Sequence, residues 1–275
     1  MENARVLAIQ PARRLLDLDI RTLAEYRELL GFLVWRDVKV RYRQTAIGVA
    51  WFALQPLLAT FIFTIVFGRL AGLPSQDVPY AVFAYAALVP WQFFAHAVTR
   101  GVNSMVADRQ LISKVYFPRL LLPLGVLLAG IVDFGVGFII LGAMLAWYDV
   151  TLTANVLATP LFLLLAIATA LAVVCWLAPL NVRYRDVSHA MPFLLQVWMF
   201  ASPVAYSVEL IPQQWRWVYG LNPMAGVIEG FRWSWLGTPP PSVSLILTSA
   251  SGVVVLLVLG VIFFHRMERT FADTI

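Results

Sequence analysis

Four basic residues, Arg36, Lys39, Arg41 and Arg43, with Asp37 among them, are followed by 25 residues without a charge, from Gln44 to Gly68. A hydrocarbon core roughly 30 Å thick is crossed by about 20 apolar residues as helix, and Lys and Arg gather at its anionic cytoplasmic edge. The junction therefore predicts a membrane boundary and a first span that starts inside. It also sets the direction of every later crossing. Composition agrees, since 61% of the residues are hydrophobic, 13% are charged and the mean hydropathy is +0.80. Soluble domains of this size do not look like that.

The stretch Met1 to Arg21 mixes Arg5, Arg13 and Arg14 with Asp17 and Asp19 and holds no uninterrupted apolar core. It does not read as a signal peptide. From Thr22 the pattern turns helical. Thr22 and Glu25 have the spacing of a capping box, and Leu23, Tyr26, Leu30 and Leu33 recur on one face. An amphipathic helix is expected here, lying in the cytoplasmic interface plane with Arg27 and Glu28 towards water, or packed on a partner.

Five further spans are expected, making six in an all-α polytopic protein. The second runs over Val78 to Thr99, the third over Leu120 to Trp147, the fourth over Ala154 to Leu180, the fifth over Val187 to Tyr206 and the sixth over Val243 to Phe264. Residues 1–43 then form a cytoplasmic N-terminal region, 44–264 the membrane domain and 265–275 a cytoplasmic tail. Between the fifth and sixth spans lie Ser207 to Ser242, too apolar for an ordinary loop. Asn222 and Pro223 there make an N-cap and first-turn pair ahead of a short helix, Met224 to Phe231, which is re-entrant or interfacial because it cannot span alone. Lys and Arg number seventeen on the side of both termini and three on the other, which places both termini inside. That distribution assigns the net charge of +5 to a membrane surface and not to nucleic acid.

Few residues carry chemistry. Asp133 is the one acid deep in a span, about 21 Å from either end of it at the helical rise. No Lys, Arg or second acid lies at comparable depth on another span. This leaves a proton relay or ion pair without a partner and points to a structural or pore-facing hydrogen bond, a role in which Asn would serve. His96, His189 and His265 lack metal-ligand spacing, and Cys175 sits alone in an apolar run. There is no G-x-x-x-x-G-K-[ST], so the chain does not hydrolyse ATP through a P-loop. No catalytic constellation emerges. Tyr80, Phe83, Trp91 and Phe94 share one helical face, a pattern that serves packing, lipid contact or the stacking of sugar rings.

Several short motifs occur in a telling order. Arg36-Asp-Val-Lys-Val-Arg-Tyr42, Gly48, Trp51 and Gln55-Pro56 come first. Asn103, Leu111-Ile112, Lys114, Phe117-Pro118-Arg119 and Pro123 follow, then Asn181, Arg185-Asp186, Ser202-Pro203 and Asn222-Pro223. Together they resemble the type 2 ATP-binding-cassette permeases that export polysaccharides such as O-antigen, capsule and teichoic acid precursors. The resemblance covers the chain from about Tyr26 onward.

It implies a transport subunit and not an enzyme, in the cytoplasmic membrane of a bacterium. Two copies would pair with two copies of a separate ATPase that binds ATP and Mg, moving a lipid-linked polysaccharide between them. No cofactor is expected on this chain. The polar segment with Asn103, Ser104, Asp108, Arg109 and Lys114 becomes the expected ATPase docking site. Tyr80, Phe83, Trp91 and Phe94, with Trp51 and Phe52, become candidates for lining the glycan path. A drug or small-lipid exporter of the same class is the nearest alternative. An ion-coupled secondary transporter is further off, because the spans offer Asp133 and uncharged Gln55 and Gln196 as coupling groups.

Overall fold

The structure, a computed structural model, describes residues 25–43 and 50–268, with side chains from residue 53 onward in the second stretch. The expected cap at Thr22, the motif glycine Gly48, the rings of Trp51 and Phe52 and the tail beyond residue 268 lie outside the described residues. Every element is helical: α1 (Arg27–Arg43), α2 (Ala50–Phe63), α3 (Tyr80–Ala107), α4 (Arg109–Lys114), α5 (Leu121–Trp147), α6 (Thr159–Arg183), α7 (Asp186–Phe200), α8 (Arg216–Tyr219), α9 (Pro223–Leu236) and α10 (Val243–Glu268). A π-helical turn, Thr64–Leu70, prolongs α2.

Among the described residues five stretches are long and apolar enough to cross a membrane: Ala53–Leu70, α3, α5, Ala154–Arg183 and α10. The expected fifth span is α7, which has 15 residues. At the helical rise that is about 22 Å, short of a hydrocarbon core. α7 nonetheless leads from the end of the bundle that holds α4 to the end that holds α9.

α3 is the central helix. It packs against α5 on one side and α6 on the other, with α9 across one end. Its length exceeds the expected span because polar residues fold back onto the helix itself. Asn103 Nδ2 donates to the Thr99 carbonyl at 2.8 Å and Ser104 Oγ to that of Gly101 at 2.7 Å, so the helix continues through the polar segment to Ala107. α9 likewise outruns the expected helix. Asn222 caps it by accepting from the Met224 N–H at 3.1 Å, and it stops at Leu236 because Gly237 adopts a left-handed conformation.

α1 leans along the first half of α5. The contact depends on Gly125, where a Cβ would stand 3.2 Å from that of Leu33, so that a bare backbone lets the two helices approach closely. Leu33 is buried there, and Arg27 and Glu28 face outward as expected. Of the five long apolar stretches, the one that contains α2 is the least covered. From residue 53 to 70 only Pro56 and Thr60 are buried, while Leu54, Leu57, Leu58, Phe61 and Ile62 are exposed.

Candidate functional site

The polar chemistry concentrates at the α4 end of the bundle and along α1. Arg36, in the middle of α1, grips Asp108 with both terminal nitrogens, at 2.9 and 2.7 Å, and holds Asp37 at 2.9 Å as well. The fork geometry suits a carboxylate. The hydrogen bond to Asp108 first, and then the Asp37 contact, raise the Arg36 guanidinium above its ordinary range, against the effect of burial. Asp108 is the residue at which α3 ends and α4 begins. α1 is therefore clamped to the root of α4.

One and a half turns further on, α1 reaches Asp133. Arg41 forms an ion pair with its carboxylate, and the Tyr42 hydroxyl donates to the other oxygen. The side chains of Arg41 and Asp133 are 5% and 10% exposed, so the pair is almost fully buried. This corrects the expectation that Asp133 has no ionic partner. The cation comes from α1, which precedes the first span and leans into the bundle, and not from another span. Beside the pair, Pro56, Gln92, His96, Gly130 and Asp133 help line a cavity of about 30 Å³, with room for a water but not for a sugar ring.

The expected docking residues divide into two groups. Asn103 and Ser104 are turned inward, since Ser104 is buried and Asn103 Oδ1 accepts from Asn181 Nδ2 at 3.2 Å. Asp108 is occupied by Arg36. Arg109 and Lys114 remain on the surface, joined by Gln110, Ser113, Val115 and Tyr116, which sequence reading had not singled out. The groove beside this helix, about 290 Å³, is lined by Ile112, Lys114, Tyr116, Phe117 and Arg119 among others.

The aromatic face of α3 is brought together, but inside the protein. Phe83 and Phe94 have no exposed surface and Trp91 is 3% exposed. Phe94 meets Trp198 edge-on at 5.0 Å, and Tyr80 donates to the Ala205 carbonyl at 2.6 Å. In this chain Phe83, Trp91 and Phe94 are helix packing, while Tyr80 at the start of α3 stays partly exposed.

A second polar knot was not legible from the motifs. Arg232 of α9 has no exposed surface. Its guanidinium donates to the carbonyls of Phe83, Tyr206 and Val204 at 3.3, 3.0 and 2.8 Å, pairs with Glu229 at 3.1 Å and lies 3.5 Å above the Phe83 ring. A basic residue inside the apolar stretch of residues 207–242 was the available signal, because a buried guanidinium requires several acceptors. Among the described residues no group of three or more His, Cys, Asp or Glu side chains is placed to hold a metal ion.

Comparison with known proteins accords with this architecture. The family model described as ABC-2 type transporter matches residues 28–236. The chain is 29% identical over 259 residues to the O-antigen export system permease protein RfbA of Myxococcus xanthus, covering 93% of this chain and 98% of the relative. It is 26% identical to the protein of the same name from Klebsiella pneumoniae, covering 90% and 94%. With the polysialic acid transport protein KpsM of Escherichia coli the identity is 24%, over 72% and 77%. With residues 28–236 matched and the helical architecture in place, this chain belongs to the ABC-2 type transporter family.

Proposed function

We propose that this chain is the membrane-spanning subunit of an ATP-driven exporter of a lipid-linked polysaccharide, working as a homodimer with two copies of a separate ATPase that binds ATP and Mg. The observation that carries the reading is the likeness to an O-antigen export permease along nearly the whole of both chains. α4 is the docking helix. It presents Arg109, Gln110, Ser113 and Lys114 outward, while Arg36 holds its root through Asp108.

In this reading the chain crosses the bacterial cytoplasmic membrane six times, with α7 as the fifth crossing and both termini inside, in keeping with the seventeen-to-three distribution of Lys and Arg. α1 lies at the cytoplasmic boundary, and α9 dips into the outer half. The cavity beside Asp133 is too small for a glycan. The path therefore runs between two copies, which suits the exposed apolar surface of α2. Cells lacking this chain should accumulate lipid-linked glycan on the cytoplasmic side and lose it from the surface, and a plasmid copy should restore export. Surface glycan at its normal amount without the chain would refute the reading.

A further inference from the structure

α7 is fastened differently from its neighbours. Of its 15 residues only Met191 and Leu195 are buried, and Phe193, Leu194, Val197 and Phe200 point outward. Val187, Trp198 and Met199 add partly buried contacts with the core, so α7 packs along a single stripe and leaves its other face outward. Its two ends, by contrast, are each held by an asparagine that belongs to another helix or its cap.

At the α4 end the asparagine is Asn181, 2% exposed, in the last turn of α6. Its Nδ2 donates to the Val102 carbonyl at 3.1 Å and to Asn103 Oδ1 at 3.2 Å, and its Oδ1 accepts from the Ser188 N–H at 3.1 Å. One side chain thus joins the end of α3, the end of α6 and the first turn of α7. At the far end the asparagine is Asn222, the cap of α9. Its Oδ1 accepts from Trp198 Nε1 at 2.9 Å and from the Met224 N–H at 3.1 Å, while its Nδ2 donates to the Ala201 carbonyl at 3.1 Å and to Ser202 Oγ at 2.9 Å. Only an amide carries two donors and an acceptor in so small a planar group. Both asparagines use donors and acceptor alike.

Beyond Asn222 the load path continues. Arg232 binds α9 to the carbonyls of Val204 and Tyr206, just past α7, and to that of Phe83 on α3. A helix with polar joints at both ends and only one packed stripe between them can slide along that stripe while its ends stay attached. A long-range coupling of this kind requires an element that both sites bias. α7 has that placement.

We propose that α7 is a strut that carries displacement from the α4 end to α9, with Asn181 and Asn222 as the positioning residues that fix its two ends. The proposal rests on the reading of α4 as the ATPase docking helix.

The test uses the full permease with its ATPase in lipid nanodiscs, carrying a single environment-sensitive label either at exposed Ser113, on α4, or at exposed Leu221, beside the α9 cap. In the unmodified complex both labels should respond to a non-hydrolysable ATP analogue. In Asn181→Ala and in Asn222→Ser the Ser113 label should still respond, whereas the Leu221 response and the export per ATP hydrolysed should fall several-fold. ATPase co-purification should stay unchanged, while thermal stability falls modestly in each variant because buried groups lose their partner. Ser keeps the cap on Met224 but is too short to reach Trp198 and Ala201. An undiminished Leu221 response in both variants would overturn the strut. A silent Leu221 label beside a responsive Ser113 label in the unmodified complex would overturn it too, without recourse to any variant. A silent Ser113 label in the unmodified complex would instead refute the docking reading, and the strut with it.

Discussion

Arg41 and Asp133 are the residues whose roles depend most on each other. Two charges buried to this degree are costly apart and tolerable together, and removing one partner of such a pair typically costs ~3–5 kcal/mol. Asp133→Asn is therefore expected to destabilise the protein on that scale, measured as a lowered unfolding temperature of the purified permease, although Asn would have sufficed for a simple hydrogen bond. The double variant Arg41→Met with Asp133→Leu should recover most of the loss, because it removes both charges and keeps the volume. Asp133 was legible as an anomaly in the sequence, but its partner was not. Arg41 lies outside every span, and nothing local in the sequence reveals that α1 leans along α5 far enough to bring it to Asp133. Arg232 follows the same physics with more partners. Arg232→Lys keeps the charge, but a point-like ammonium cannot serve three diverging carbonyls as the guanidinium fork does. That variant should loosen the segment 207–221, seen as faster proteolytic cleavage there, with the α4 end unaffected.

Helices rather than single residues decide how the α4 end works. α1 reaches its place because Gly125 leaves space for Leu33, and Gly125→Val would force β-branched bulk against the α1 backbone. Overpacking of this kind costs about 1–3 kcal/mol. The expected outcome is a separation of α1 from α5 with the rest of the bundle intact, detectable as lost crosslinking between cysteines placed on the two helices. α4 offers charge and not packing. Arg109→Glu with Lys114→Glu should weaken association with the ATPase in co-purification, and raising the salt should weaken the unmodified contact too, since exposed charges are screened within about 10 Å at 0.1 M. α4 was half visible in the sequence. Its polarity marked it as lying outside the bilayer, and Arg109 and Lys114 are on its surface. Asn103 and Ser104 are polar yet turn inward, because each bonds a carbonyl about one turn back and Asn103 also accepts from Asn181, which composition alone does not reveal.

The number of crossings is settled at the scale of the whole molecule, by parity and not by any one helix. Hydropathy reads five helices clearly, because an apolar stretch of 25 residues has few other fates. It does not settle α7, whose 15 residues are too few to cross alone and whose continuation to Tyr206 is irregular. The structure fixes the direction of α7, since Asn181 holds one end beside Asn103 and Asn222 holds the other beside α9. Which side of the membrane each end meets can then be counted. From Ser113 to Gln213 the chain passes along α5, α6 and α7. If all three cross, Ser113 and Gln213 face opposite sides. If α7 does not cross, they face the same side and the chain has five spans. Ser113→Cys and Gln213→Cys, each in an otherwise unmodified protein, separate these outcomes, because both positions are exposed while the native Cys175 is buried and should stay silent. A membrane-impermeant thiol reagent applied to intact cells with a permeable outer layer should label Cys at 213 and spare Cys at 113, and opened inverted vesicles should label both. Labelling of neither position in intact cells would remove α7 from the crossing helices and place α9 at the cytoplasmic side. Labelling of Cys at 113 alone would invert the topology that the seventeen-to-three distribution of Lys and Arg supports.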